Sequence, residues 1–196
     1  MFDPSKVSSR KWSKFMQLAL ALYYAKRGYA VCREVGLPFE YTDIRTGTKG
    51  FCGTKLRADF VAVNKKKEVI IVETKSSKSD FETDKKWTNY LKCCTKFYFC
   101  VAPEMLDYMK EKLEGYPQVG IICVEKKEQS HIYDLVYFPK RAKKLESDPP
   151  IELILWQMAV RGSGIGYDLS VFKTSIWGSS EKERAETFAN LFEEKE

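Results

Sequence analysis

Several features typical of common protein classes are absent from this sequence. His131 is the only histidine in 196 residues, which argues against a histidine-based nuclease, a Ser-His-Asp hydrolase and a histidine-rich zinc site. No apolar run reaches the roughly 18 residues that a membrane helix needs, so we expect no membrane contact. The first residues, MFDPSKVSSRKW, lack the apolar stretch of a secretion signal. We therefore expect a cytoplasmic protein.

The six cysteines do not follow the pattern of a metal site. No CxxC pair occurs, and the adjacent Cys93 and Cys94 cannot readily bridge each other. Most of the six lie in apolar segments, so we expect reduced cysteines in the core. A hydrophobic content of 44% with 14% aromatic residues predicts one folded domain rather than a disordered chain.

Positive charge is concentrated in the first half of the chain, although the net charge is only +6. Residues 1–100 carry 20 Lys and Arg against 10 Asp and Glu, whereas residues 101–196 carry 13 against 17. A basic half of this kind is expected in a protein that attracts a polyanion such as DNA. A solvated lysine-rich surface would explain the same numbers equally well.

The apolar periodicity predicts alternating helices and strands. Helices are predicted over residues 9–26, 79–93, 103–113, 151–161 and about 180–194, strands over 29–39, 56–63, 68–74, 96–101, 119–124 and 132–138, and a loop over 41–55. This order predicts an α/β fold with a mixed sheet flanked by helices. One domain over residues 1–162, followed by a C-terminal extension over 163–196 that ends in a helix, is the simplest division.

The sequence LRADFVAVNKKKEVIIVETK predicts a β-hairpin, because two apolar runs rich in Val and Ile flank a polar turn. A three-residue turn within NKKK sets a register in which Asp59 faces Glu73 across the two strands. Lys75 lies two residues beyond Glu73 and therefore points to the same side of the sheet. The hairpin is thus expected to gather two carboxylates and an ammonium group at one place.

This cluster suggests metal-dependent chemistry on a phosphate. Two acids and a lysine at the end of a buried strand are costly unless they hold a cation. Mg²⁺ prefers oxygen ligands, which Asp59, Glu73 and the carbonyl of Thr74 could supply. Lys75 could orient an attacking water or stabilise the charge that develops on the phosphate. The alternative is an ion triad that only holds the strands together.

Asp59 followed by Glu73-Thr74-Lys75 resembles the signature of the PD-(D/E)XK nuclease superfamily, whose core is helix, three strands, helix, strand. The stretches RADFVAV, IVETKSSKSDFETDKKWTNYL and CTKFYFCV resemble its MmcB-like DNA-repair branch more specifically, over about residues 17–161. The resemblance implies a restriction-endonuclease-like fold. It also implies an Mg²⁺- or Mn²⁺-dependent DNA nuclease, with an endonuclease favoured, which acts in DNA repair, recombination or phage DNA processing. Asp59 and Glu73 would bind the metal, and Lys75 would assist catalysis.

The sequence departs from the superfamily pattern at three positions. Ala58 stands where the pattern has a proline. Thr74 is the middle residue of ExK, and we expect its side chain to face away and to matter little. Many members carry a glutamate on the first helix, where this chain has Gln17 and no acid. Glu34, at the start of the next strand, is the nearest substitute and is therefore a candidate metal ligand.

Basic residues around the hairpin are candidate DNA contacts, since phosphate contacts supply much of the affinity in such proteins. They are Arg45, Lys55, Arg57, Lys78 and Lys86. A flexible solvated loop would account for the first two equally well. Asp84 could orient Lys86 or Lys75, whereas Trp87 is expected in the core.

Two further hypotheses remain open. The missing acid on the first helix suggests a non-catalytic module that binds nucleic acid or recruits a partner on a nuclease-like core. The predicted last helix, with Phe188, Leu191 and Phe192 on one side, suggests docking onto a replication or repair protein, or self-association.

Overall fold

A computed structural model describes residues 9–42, 49–126 and 131–164, with side chains over residues 11–37, 56–126 and 131–161. Most of the predicted C-terminal extension, including its helix over residues 180–194, lies outside the described residues. The domain boundary after residue 162 and the docking role of the last helix therefore stay predictions.

Helices and strands follow one another in nearly the predicted order. The described elements are α1 (Ser9–Ala25), β1 (Tyr29–Thr42), β2 (Lys49–Asn64), β3 (Val69–Lys75), α2 (Lys78–Thr83), α3 (Trp87–Tyr90), β4 (Lys96–Val101), α4 (Leu106–Lys112), β5 (Gly120–Val124), β6 (Val136–Lys140) and α5 (Ile151–Gly164). Short 3₁₀ turns at Pro103–Met105 and Ile132–Leu135 precede α4 and β6. None of the helices in the described ranges is both long and apolar enough to cross a bilayer.

The strands form one six-stranded sheet in the order β1-β2-β3-β4-β5-β6. Strands β1, β2 and β3 are antiparallel neighbours, β3, β4 and β5 are parallel, and β6 is antiparallel to β5. Parallel neighbours need crossover connections, and these contain α2 and α3 after β3 and α4 after β4. The prediction of a mixed α/β sheet flanked by helices, consistent with a restriction-endonuclease-like core, is confirmed.

Helices cover both faces of the sheet and divide the core in two. On one face α1 packs Met16 and Leu20 against strand residues such as Phe60. On the other face α3, α4 and α5 pack against Phe97 and its neighbours. All seven residues of β3 are buried between the two layers. The free cysteines 93, 94, 100 and 123 are buried and Cys32 is half-buried, as expected of reduced core residues.

The β2–β3 hairpin has the predicted register. Val63 pairs with Val69 and Phe60 with Val72, so facing positions continue toward Asp59 and Glu73. The side-chain oxygen of Asn64 closes the turn by accepting hydrogen bonds from the backbone N–H groups of Lys66 (2.9 Å) and Glu68 (3.1 Å).

Three of the predicted elements are wrong in extent. The strand expected over residues 132–138 begins only at Val136, after the 3₁₀ turn at Ile132–Leu135. The loop expected over residues 41–55 is largely strand, because β2 begins at Lys49 and pairs with β1 as far as Thr42. Cross-strand pairing outweighs the glycines that suggested a loop, and a register shift next to Pro38 accommodates the proline. The single helix expected over residues 79–93 is two short helices, because Asp84 has an extended backbone that ends α2.

Candidate active site

Asp59 and Glu73 lie where the ladder between β2 and β3 ends, just beyond the pair Phe60–Val72. There the backbone N–H of Asp59 donates to Glu73 Oε1 (3.1 Å), and the N–H of Thr74 donates to Asp59 Oδ2 (2.8 Å). Each carboxylate thus accepts a hydrogen bond from the backbone of the neighbouring strand, as a backbone carbonyl does in a regular ladder. These hydrogen bonds tie each acid to the neighbouring strand at the point where the strands separate.

Lys75 lies at the centre of a cluster of acids. Its side chain is only 6% exposed, and Nζ lies 2.6 Å from Asp84 Oδ2 and 3.9 Å from both Glu73 Oε2 and Asp80 Oδ1. Helix α2 follows β3 almost at once, with Ser77 capping it by accepting a hydrogen bond from the N–H of Asp80. The short connection therefore brings both aspartates next to the end of β3.

Burial and charge shift the pKa values of both Glu73 and Lys75. Burial and the nearby charge of Asp59 raise the pKa of Glu73 well above its usual range, although the N–H of Asp59 and the charge of Lys75 act against them. Burial acts to lower the pKa of Lys75, but the hydrogen bond to Asp84 and the surrounding acids raise it overall. Lys75 is therefore held as an ammonium ion.

The acids outnumber the cations in this cluster. Glu73, Asp80 and Asp84 lie 2.6 to 3.9 Å from the ammonium of Lys75, and the backbone N–H of Asp59 donates to Glu73. Both hydrogen bonds that the described residues donate to the Asp59 carboxylate end on Oδ2, so Oδ1 is available to a further ligand. Carboxylate oxygens are the donors that Mg²⁺ and Mn²⁺ prefer.

The donor set fits a divalent ion that keeps several waters rather than one enclosed by protein. No group of three His, Cys, Asp or Glu side chains suited to a metal occurs within the described ranges. Asp59, Glu73 and the Thr74 carbonyl are the protein oxygens that could hold such an ion. Two carboxylates completed by water and phosphate are a usual arrangement for Mg²⁺.

Thr74 matters more than the sequence suggested. Its side chain belongs to the α1 face of the sheet, but its hydroxyl donates to Asp59 Oδ2 at 2.8 Å. The same hydroxyl lies 3.1 Å from the hydroxyl of Ser13 on α1. The expectation that this side chain matters little is corrected, because it fixes the orientation of the Asp59 carboxylate. Ser13 was missed, since only the packing of α1 brings it here.

Glu34 and Arg57, predicted as a metal ligand and a DNA contact, form an ion pair with each other. Arg57 Nε lies 2.8 Å from Glu34 Oε2, with the Arg57 side chain 68% exposed. The backbone of Glu34 has φ +54°, a left-handed conformation that is uncommon outside glycine. Both proposed roles stay predictions.

A cavity of about 300 Å³ opens beside the cluster and carries the predicted contact Lys86. It is lined by Lys75, Asp80, Thr83, Asp84, Lys85 and Lys86. Lys78 lies outside it, with Nζ 5.0 Å from the ring centre of Tyr108. The side chain of Lys55 and all of Arg45 lie outside the described residues.

Tyr90 is a neighbour of the site that sequence reasoning did not find. Its hydroxyl donates to the carbonyl of Arg57 at 3.0 Å, two residues before Asp59. Burial raises the pKa of Tyr90, and the charges of Glu73, Asp84 and Asp59 raise it further. Tyr90 is therefore a neutral hydroxyl that ties α3 to β2 next to the acids.

Comparisons with known proteins bear on the fold of the chain and on its family resemblance. The solved structure of the SPO1766 protein of unknown function from Silicibacter pomeroyi superposes with a TM-score of 0.57 at 15% identity, covering 89% of this chain and 97% of that one. This likeness supports the fold alone. No curated protein matches the chain. The family model described as DNA repair protein MmcB-like matches residues 51–126, which run from β2 through β5. The MmcB-like resemblance is thus confirmed for the segment that contains Asp59, Glu73 and Lys75.

Proposed function

We propose that this protein is an Mg²⁺- or Mn²⁺-dependent deoxyribonuclease that acts in DNA repair or related DNA processing. The name of the matching family suggests a DNA-related role. The observation that carries the proposal is the buried Glu73, held beside Asp59 and next to an ammonium group, at the end of two separating strands.

Each side chain has a defined task in this proposal. Asp59 and Glu73, with the Thr74 carbonyl, would hold the divalent ion, which supplies an activated water and neutralises charge on the phosphate. Thr74 keeps the Asp59 carboxylate in place through its hydroxyl. The charged Lys75 orients the attacking water or stabilises the developing negative charge.

Contacts to DNA would come from the basic residues near the site. Lys85 and Lys86 are exposed at the cavity beside Lys75, and Arg57 is exposed at the start of the acidic cluster. Such residues bind phosphates without reading the base sequence. Affinity for DNA should therefore fall steeply with salt.

The decisive test is cleavage of plasmid, single-stranded and forked DNA with Mg²⁺, Mn²⁺ or EDTA. We expect cleavage with either metal and none with EDTA. Lys75→Met should reduce the rate by about 10²–10³-fold, because it removes a charge that acts in the transition state. Asp59→Asn, which can still accept the bond from Thr74, should abolish cleavage while the protein remains folded. Undiminished cleavage by both variants would refute the proposal.

A second candidate is a DNA-binding module without catalysis. It is favoured by the close pairing of Lys75 with Asp84 and by the 4% exposure of Glu73, both of which limit access to the site. Salt-dependent DNA binding with no cleavage in either Mg²⁺ or Mn²⁺ would support this candidate. Metal-dependent nicking would exclude it.

A further inference from the structure

The carboxylate of Asp84 makes two contacts that join different elements. Its Oδ2 accepts a hydrogen bond from Lys75 Nζ at 2.6 Å, and its Oδ1 accepts one from the backbone N–H of Lys86 at 2.9 Å. The side chain is 14% exposed. One carboxylate thus connects the lysine of β3 to the turn between α2 and α3.

Asp84 also determines the position of the Lys75 ammonium group. A buried ammonium group requires a counter-charge, and the next acids, Glu73 and Asp80, each lie 3.9 Å from Nζ. Asp80 is 44% exposed, and its other oxygen accepts a bond from the N–H of Ser76. Without Asp84, the ammonium would therefore close the gap to the buried Glu73.

A direct pair between Lys75 and Glu73 would compete with metal binding. Attraction between opposite charges is strong where water is excluded. A divalent ion would then have to displace the ammonium before it could reach the Glu73 carboxylate. With Asp84 in place, the ammonium is held at 2.6 Å from another acid, and Glu73 is not engaged at that range.

We propose that Asp84 is a positioning residue that holds the Lys75 ammonium away from Glu73 and thereby keeps the Glu73 carboxylate open to a divalent cation. The inference rests on the proposed function, because it assumes that Glu73 binds the metal. It assigns to Asp84 no contact with the metal or with DNA.

The test measures Mn²⁺ binding to the DNA-free protein by isothermal titration calorimetry or by the electron paramagnetic resonance of free Mn²⁺. Asp84→Asn should weaken Mn²⁺ binding by about 10- to 100-fold, the usual cost of losing a residue that supports a metal ligand. Asp84→Glu should restore part of the affinity. Asp80→Asn is the matched comparison, since it removes the same charge next to Lys75 but at 3.9 Å rather than 2.6 Å, and it should weaken Mn²⁺ binding clearly less than Asp84→Asn.

A double-mutant cycle separates positioning from simple loss of negative charge. In a Lys75→Met background no ammonium can move onto Glu73, so Asp84→Asn should cause little further loss of Mn²⁺ affinity. An equal loss in both backgrounds would overturn the proposal. If Asp84→Asn alone does not fold, Asp84→Glu takes its place in the cycle: its partial loss of Mn²⁺ affinity should disappear in the Lys75→Met background, and a loss that persists there would overturn the proposal.

The outcomes distinguish this inference from the proposed function. Wild-type affinity in the Asp84→Asn variant, together with loss of binding in Glu73→Gln, would overturn the positioning role and leave the metal site intact. Failure of the wild-type protein to bind Mn²⁺ would overturn both.

Discussion

The two ends of the β2–β3 hairpin each pair a glutamate with a lysine, and they differ in how far the charges are matched. At the turn, Glu68 Oε1 lies 2.6 Å from Lys96 Nζ, while Oε2 accepts hydrogen bonds from the Tyr29 hydroxyl and from Asn64. At the open end, Glu73 receives one backbone hydrogen bond, and its lysine is 3.9 Å away and bound to Asp84.

The pKa values of Glu68 and Glu73 are shifted in opposite directions. Burial acts to raise the pKa of Glu68, but the hydrogen bonds from Lys96 and Tyr29 outweigh it and the pKa lies below its ordinary value. For Glu73, burial and the charge of Asp59 outweigh the opposing contacts, so the pKa lies well above its ordinary value. At the turn, Glu68 and Lys96 form an ion pair that stabilises the fold. At the open end, the pKa of Glu73 is strongly shifted, as is common for groups at functional sites.

The largest expected contrast is between Glu73→Gln and Glu68→Gln. Glu73→Gln should abolish metal-dependent DNA cleavage without lowering the metal-free stability, because a buried amide costs less than a buried carboxylate beside Asp59. Glu68→Gln should keep its activity but lose about 1–2 kcal/mol of stability, because it weakens hydrogen bonds to a charged group. Cleavage assays and urea unfolding of both variants measure the contrast. Equal effects of the two substitutions on cleavage would contradict it.

The pH dependence of stability should reveal the matched charge at the turn. Because the pKa of Glu68 is lower in the folded state than its ordinary value of 4.5, its contribution is present above pH 4.5. That contribution is lost as the pH falls through the folded-state pKa. The difference in unfolding free energy between wild type and Glu68→Gln should therefore shrink from pH 7 into acid. A difference that stays constant would show that Glu68 is not stabilised as a carboxylate.

The smallest expected effect concerns DNA binding by exposed lysines near the open end and at the turn of the β2–β3 hairpin. Lys86→Ala, at the cavity, should weaken binding to all DNA sequences and reduce the salt-dependence slope by about one. Lys66→Ala, in the hairpin turn, removes the same charge at the opposite end and should change neither quantity. Fluorescence anisotropy at several salt concentrations measures both variants. Identical behaviour of the two would mean that the basic surface acts as a whole.

The hairpin and its acids were predictable because they depend on local rules. Turn length sets the register of an antiparallel pair, and side chains alternate with a period of two. These rules predicted Asp59 opposite Glu73 and Lys75 on the same side as Glu73, and the observed ladder has that register as far as Phe60 and Val72. The loop assigned to residues 41–55 failed because the glycines there are tolerated in a strand that pairs with β1. Pairing across strands is not visible in local composition.

The sequence by itself determined the mixed α/β fold and the register of the β2–β3 hairpin, since short-range periodicity and a short turn specify both. Only the tertiary structure decided which acid pairs with Lys75, because the pairing depends on where α2 ends and therefore on the position of Asp84. It also decided that Thr74 reaches Asp59 and that Ser13 lies beside Thr74, because these contacts require α1 to pack across the sheet. Contacts between elements distant along the chain follow from packing, which no single segment specifies.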